Sequence, residues 1–148
     1  MGSIVLPGSG TVYLDANAII YSVETNPSYW PIVEPVWQAA RAGQFQLVST
    51  ELTLLEVLVV PLRNADSVLV AAYEKVLTAP EFTLLPITTA VLREAARLRA
   101  AIGSLRTPDA IHAATALVHP PTQFITNDLG FQKVPGLPVT VLSDLLTP

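Results

Sequence analysis

Short β-rich runs and helical segments take turns along this chain, and that alternation limits its fold more than any other feature. Val12–Leu14, Phe45–Ser49, Phe82–Ile87, Gln123–Thr126 and Val139–Leu142 read as strands. Helices are expected over Ala16–Val23, from about Val36 to a stop at Gly43, from Thr50 to Pro61, and over Asp66–Thr78. Val91, Ala95, Leu98 and Ile102 form the apolar stripe of a further helix ended by Gly103, and Thr107–Val118 is the last. Pro27, Pro31 and Pro35 punctuate the chain ahead of the second helix, and Pro61 is expected to stop or kink the third. Thr50 and Thr107 are the expected N-caps, with Pro108 at the first helical position. Strands alternating with helices argue for an α/β fold with a parallel sheet covered on both faces. Ligands in such sheets bind outside the carboxyl ends of the strands.

The chain has 148 residues, enough for one domain, and no internal repeat appears. Residues 1–10 carry no predicted element and read as an N-terminal tail whose order is left open, followed by a single domain over 11–148. With 51% hydrophobic and 14% charged residues, the chain can bury a large core and is too apolar for a disordered one. The most apolar stretch, Leu52 to Leu62, contains Glu56 and is too short to cross a bilayer, and Met1 to Gly10 lacks the pattern of a signal peptide. Cytoplasm is therefore the expected compartment. The absence of cysteine excludes disulfides, thiolate nucleophiles and Cys-ligated zinc.

Eight Lys and Arg against twelve Asp and Glu give a net charge of −4. Proteins that bind nucleic acid by charge alone carry a basic excess, so such an activity here needs a local patch or a metal ion. Four acids stand out against this sparse background. Asp15 and Asp128 each end a predicted strand, although either also fits an ordinary turn or cap. Glu56 is the one charge in a helix apolar nearly all round, which reads as buried unless one edge is solvated. Asp109 lies in the first turn of its helix, where the helix dipole alone favours an acid. Together they can converge at one sheet edge, where they would persist only by taking up protons or a hard cation. Glu56, on the most apolar helix, is the expected site of a raised pKa. Oxygen ligands favour Mg²⁺ or Mn²⁺ over zinc, and metal-assisted phosphodiester hydrolysis is the chemistry such a cluster suits.

Tyr13-Leu14-Asp15-Ala16-Asn17, Thr53-Leu54-Leu55-Glu56, the run from Arg106 to Ala116 and Ile125-Thr126-Asn127-Asp128-Leu129-Gly130-Phe131 resemble the PIN-domain ribonucleases, most of all their VapC-type toxins. The resemblance spans roughly Val12 to Leu146, and its Arg-Thr-Pro-Asp-Ala block is the most specific part. It implies a three-layer α/β/α sandwich, an acidic Mg²⁺ site of Asp15, Glu56, Asp109 and Asp128, and support from Asn17 and Thr126. It further implies an RNA substrate, a cognate antitoxin protein and a homodimer. Arg106, Arg93 and Arg97 are the best phosphate contacts available, although the last two also suit plain solvation of a helix face. His112 is expected to be structural, and Tyr29, Trp30 and Trp37 to be core. The alternative function is a PIN-fold binding module with weak or lost catalysis. A phosphate-accepting α/β domain built on Asp15 would need a well-placed lysine, and neither Lys75 nor Lys133 ends a predicted strand.

Overall fold

A computed structural model describes residues 2–146. In chain order the elements are β1 (Thr11–Leu14), α1 (Ala16–Val23), α2 (Trp30–Arg41), β2 (Gln46–Thr50), α3 (Leu52–Arg63), α4 (Ser67–Leu77), β3 (Phe82–Leu85), α5 (Thr89–Ala101), α6 (Thr107–Val118), β4 (Gln123–Thr126) and β5 (Val139–Val141). Two 3-10 helices, Leu129–Lys133 and Leu142–Leu145, follow the last two strands. The five strands form one sheet in the order β3-β2-β1-β4-β5, and every neighbouring pair is parallel. The α/β sandwich expected from the alternation is thus the observed architecture.

Successive residues of β1 point to opposite faces, as strand geometry requires. Val12 and Leu14 join the core packed by α1, α2 and α4, while Tyr13 joins the core packed by α5 and α6. The first core holds large side chains, among them Ile19, Trp37, Phe45, Tyr73 and Phe82. The second draws on α6 for Ala110, Ala113, Ala114 and Ala116. Tyr13 stacks on its strand neighbour Phe124 at 4.6 Å.

Several local expectations change. Helix α2 begins at Trp30, well before Val36, because its prolines fall where a helix tolerates them. Pro31 lies in the first turn, whose N–H groups have no intrahelical acceptor, and Pro35 omits one further bond on an exposed side. Gly43, at φ +82°, ends the helix as expected. Pro61 does not stop α3, which runs through it to Arg63, since only its last turn lies beyond. Thr50 is not the cap of α3, where Glu51 holds that position without a side-chain bond. Thr107 is the first residue of α6 and not its cap; its Oγ1 accepts from Arg99 Nη1 at 3.0 Å. The tail segment meets the domain at several points, with Gly2 N–H donating to Leu145 O at 2.8 Å and Ile4 and Leu6 packed against the larger core.

Trp37 is core as expected, whereas Tyr29 and Trp30 are half-buried at its margin. Of the two alternatives for α3 the structure shows the solvated edge, with Leu55 and Leu62 each 61% exposed and Val60 54%. The helix packs on α4, α1, α6 and β2 from one side only, so its apolar composition exceeds what the domain covers.

Candidate active site

The order of strands reverses at β1, which has β2 on one side and β4 on the other. Open parallel sheets place their ligand crevice at such a point, beyond the strand ends. A cleft of about 250 Å³ lies there, lined by Asp15, Asn17, Glu56, Arg106, Asp109, His112 and Asp128, with Phe131 and Pro108 at its sides. The four acids singled out in the sequence therefore share one cleft, although they come from β1, α3, α6 and β4 or the residues that follow them.

Asp15 leaves the end of β1 and caps α1, its Oδ1 accepting from Ala18 N–H at 3.0 Å. Its Oδ2 accepts from the buried Thr126 hydroxyl at the end of β4. Thr126 Oγ1 in turn accepts from Asp128 N–H at 3.0 Å, so one threonine ties two of the acids to the same strand end. Asp128 Oδ1 accepts from Gly130 N–H at 2.8 Å and opens the 3-10 helix. Asp109 folds back onto the start of α6, its Oδ2 accepting from Arg106 N–H at 3.3 Å with Arg106 Nε 3.6 Å away. Glu56 Oε1 is 2.6 Å from His112 Nε2. Asn17 is exposed at the cleft mouth.

Burial pushes the Asp15 carboxyl above its ordinary value of 3.8, against the pull of His112, of the Thr126 hydroxyl and of the Ala18 amide, and with a further push from Glu56. The carboxyl that burial raises is that of Asp15, at the end of β1. Asp15 is 4% exposed, while the Glu56 side chain, on the edge of a half-covered helix, keeps 27%. Beneath the site, burial also holds the Tyr13 phenol well above its usual value of 10.0.

Among the described residues, no three His, Cys, Asp or Glu side chains stand close enough to form a ready-made metal cluster. Each acid instead turns to a partner in the protein. The donor set is hard oxygen, which matches Mg²⁺ or Mn²⁺. Mg²⁺ keeps several waters and typically engages only one or two carboxylates, so it does not need a closed protein cage.

Arg106 lines the cleft with its side chain 83% exposed. Arg93 and Arg97 lie on α5 outside that lining, and Arg97 is engaged by Glu94. His112, expected to be structural, is buried and lines the cleft through its contact with Glu56. Its place one turn after Asp109 in an alanine-rich helix was a signal, but its partners are far away along the chain.

The PIN domain matches this chain over residues 12–137. The chain belongs to the PIN-domain family. No curated protein matches it. Among solved structures it is similar to the VapBC2 complex of Rickettsia felis bound to promoter DNA, at 14% identity and TM-score 0.69, covering 88% of this chain and 98% of that one. It is also similar to a toxin–antitoxin complex from Klebsiella pneumoniae, at 23% identity and TM-score 0.63, covering 88% and 96%. FitAcB from Neisseria gonorrhoeae follows at 21% and 0.65, covering 90% and 99%. At these identities the PIN fold is what the likeness establishes. Among the described residues, no helix is long and apolar enough to cross a membrane.

Proposed function

We propose that this PIN domain is a metal-dependent endoribonuclease and the toxin of a toxin–antitoxin pair. The observation that carries this reading is the convergence of Asp15, Glu56, Asp109 and Asp128 on one cleft at the sheet's switch point, with Arg106 beside them. Asp15, Asp109 and Asp128 would hold Mg²⁺ or Mn²⁺, directly or through water, with Glu56 completing the set. The bound ion would lower the pKa of water and offset charge on the phosphoryl oxygens. Glu56 orients the attacking water and takes its proton, Arg106 meets the phosphate, and Asn17 offers an amide at the mouth. Thr126 keeps Asp15 and Asp128 in register with each other.

With a net charge of −4, affinity for RNA rests on the metal and on the shape of the strand rather than on a basic surface. The similar structure from Klebsiella pneumoniae is a toxin–antitoxin complex, which supports a cognate antitoxin as partner. A homodimer is supported by the exposed row Leu55, Val59 and Leu62 on α3, spaced to form one uncharged stripe. A second reading, a PIN-fold binding module, draws on the engagement of each cleft acid by a protein partner.

One experiment separates the two. Wild type and Asp15→Asn are incubated with matched RNA and DNA pools, with and without Mn²⁺, and melted under the same conditions. The nuclease reading expects Mn²⁺ to raise the wild-type melting temperature, because it binds only the folded state. It also expects RNA cleavage that needs the ion and falls by orders of magnitude in Asp15→Asn. Wild type that shows neither response is a binding module.

A further inference from the structure

We propose that His112 is the positioning residue for Glu56: an imidazole locked in place by Tyr13 holds the Glu56 carboxylate at the cleft. The role assigned to Glu56 rests on the nuclease reading above, whereas the three-residue chain itself stands on geometry.

His112 is 3% exposed, and each ring nitrogen has a side-chain partner from a different element. Nε2 lies 2.6 Å from Glu56 Oε1 on α3, and Nδ1 lies 2.7 Å from the Tyr13 hydroxyl on β1. An ionised carboxylate has no proton to give, so Nε2 carries the N–H and donates it. Nδ1 is then the acceptor, and the buried Tyr13 O–H, which is completely enclosed, donates to it. The imidazole is braced edge-on against Phe131, with ring centroids 6.5 Å apart and planes at 83°. Its helical neighbours Ala110, Ala113, Ala114 and Ala116 offer no polar group that would compete for either nitrogen.

A buried histidine needs two partners merely to satisfy its ring, but here one of the two is a cleft acid. Glu56 projects from the part-exposed side of α3, and a free glutamate there would sample several rotamers. The bond from Nε2 removes that freedom and leaves the second oxygen, Oε2, for water or an ion. Side chains that orient acids in this way typically change metal affinity or activity by about 10–100-fold when removed.

The test uses wild type, His112→Ala and His112→Gln, the last of which returns an amide N–H near the place of Nε2. Imidazole ¹⁵N NMR on the wild type reads the tautomer, Mn²⁺ calorimetry reads the site without turnover, and RNA cleavage separates kcat from KM. We expect Nε2 protonated and Nδ1 bare, and a change in the Nε2 signal in Glu56→Gln. His112→Ala is expected to bind Mn²⁺ about 10–100-fold more weakly and to lose kcat with KM nearly unchanged, and His112→Gln to recover much of both. If His112→Ala fails to fold, the comparison of wild type with His112→Gln and Tyr13→Phe carries the test, with the glutamine variant close to wild type and Tyr13→Phe weakened. A proton on Nδ1, or a folded His112→Ala with wild-type Mn²⁺ affinity, overturns the proposal. Wild type that cleaves no RNA, yet shows the Nε2 signal moving in Glu56→Gln, overturns the nuclease reading and supports the contact.

Discussion

The two faces of the sheet are packed by different means. On one side α1, α2 and α4 bring Ile19, Trp37 and Tyr73 against Phe82 of β3, and the core is filled by large side chains. On the other, α6 brings a row of alanines, and its backbone comes close to α5 and to the sheet. Volume stabilises the first face, whereas closeness defines the second. Interiors packed like crystals transmit small displacements, so a change on the alanine face reaches the site more directly than a larger change opposite. His112 can span Tyr13 and Glu56 because its helix lies this near.

The largest effect should separate stability from chemistry. Trp37 is 2% exposed, stacks on Phe82 at 6.0 Å and donates through Nε1 to Ser22 Oγ at 2.7 Å. Trp37→Ala should cost about 3–5 kcal/mol while leaving cleavage per folded molecule close to wild type. Ala114, fully buried on α6, has no room for a larger group. Ala114→Leu should cost only about 1–3 kcal/mol, yet lower cleavage by roughly 100-fold, because displacing α6 moves Asp109 and His112 together. Denaturant melts with cleavage assays on the folded fraction check both, and equal losses of cleavage would erase the contrast.

A smaller effect tests Asp15, which joins the faces. Its folded pKa is raised, so the folded state binds more protons than the unfolded state above 3.8, and stability falls as pH rises through that window. Asparagine keeps the cap on α1 and carries no charge. Metal-free Asp15→Asn should therefore be more stable than wild type at neutral pH, and the gap should close as pH falls below 3.8. Denaturation at several pH values reads it, and a gap that opens toward acid would reverse the sign.

The smallest effect compares two threonines on the alanine side. Thr88 Oγ1 accepts from Val91 N–H at 3.2 Å and caps α5, so Thr88→Ala should cost about 0.5–2 kcal/mol. Thr107→Ala removes only an exposed bond to Arg99 and should cost about 0.5 kcal/mol or less. Thermal melts that rank the two the other way would restore Thr107 as the determinant of its helix start.

Much of the fold is legible because strands and helices announce themselves locally. Val12–Leu14 differs from the observed β1 by one residue, and α1 and β4 have the bounds read from sequence. Proline misled twice, since its cost depends on where in a helix it falls: Pro31 in a first turn and Pro61 near an end are both cheap. The acids could be collected at one edge because parallel topology forces strand ends together. Their individual states could not be read, since these depend on neighbours distant in the chain. Asp15 is buried and bonded to Thr126, 111 residues on, and His112 finds partners 56 and 99 residues away. No pattern within a helix or strand encodes contacts of that range. The choice between a buried and a solvated edge of α3 stayed open for the same reason, because composition does not say how many sides of a helix a domain covers.

The strand order also sets a clock on synthesis. β1 emerges first but lies in the middle of the sheet, and one of its edges waits for β4. The bond from Thr126 to Asp15 joins residues 111 positions apart. At roughly 5–20 residues per second, that is on the order of ten seconds of translation before the two can meet. The nascent chain carries three of its four cleft acids with no finished cleft to put them in, and a ribosome that stops before β4 releases a chain that lacks both Thr126 and Asp128.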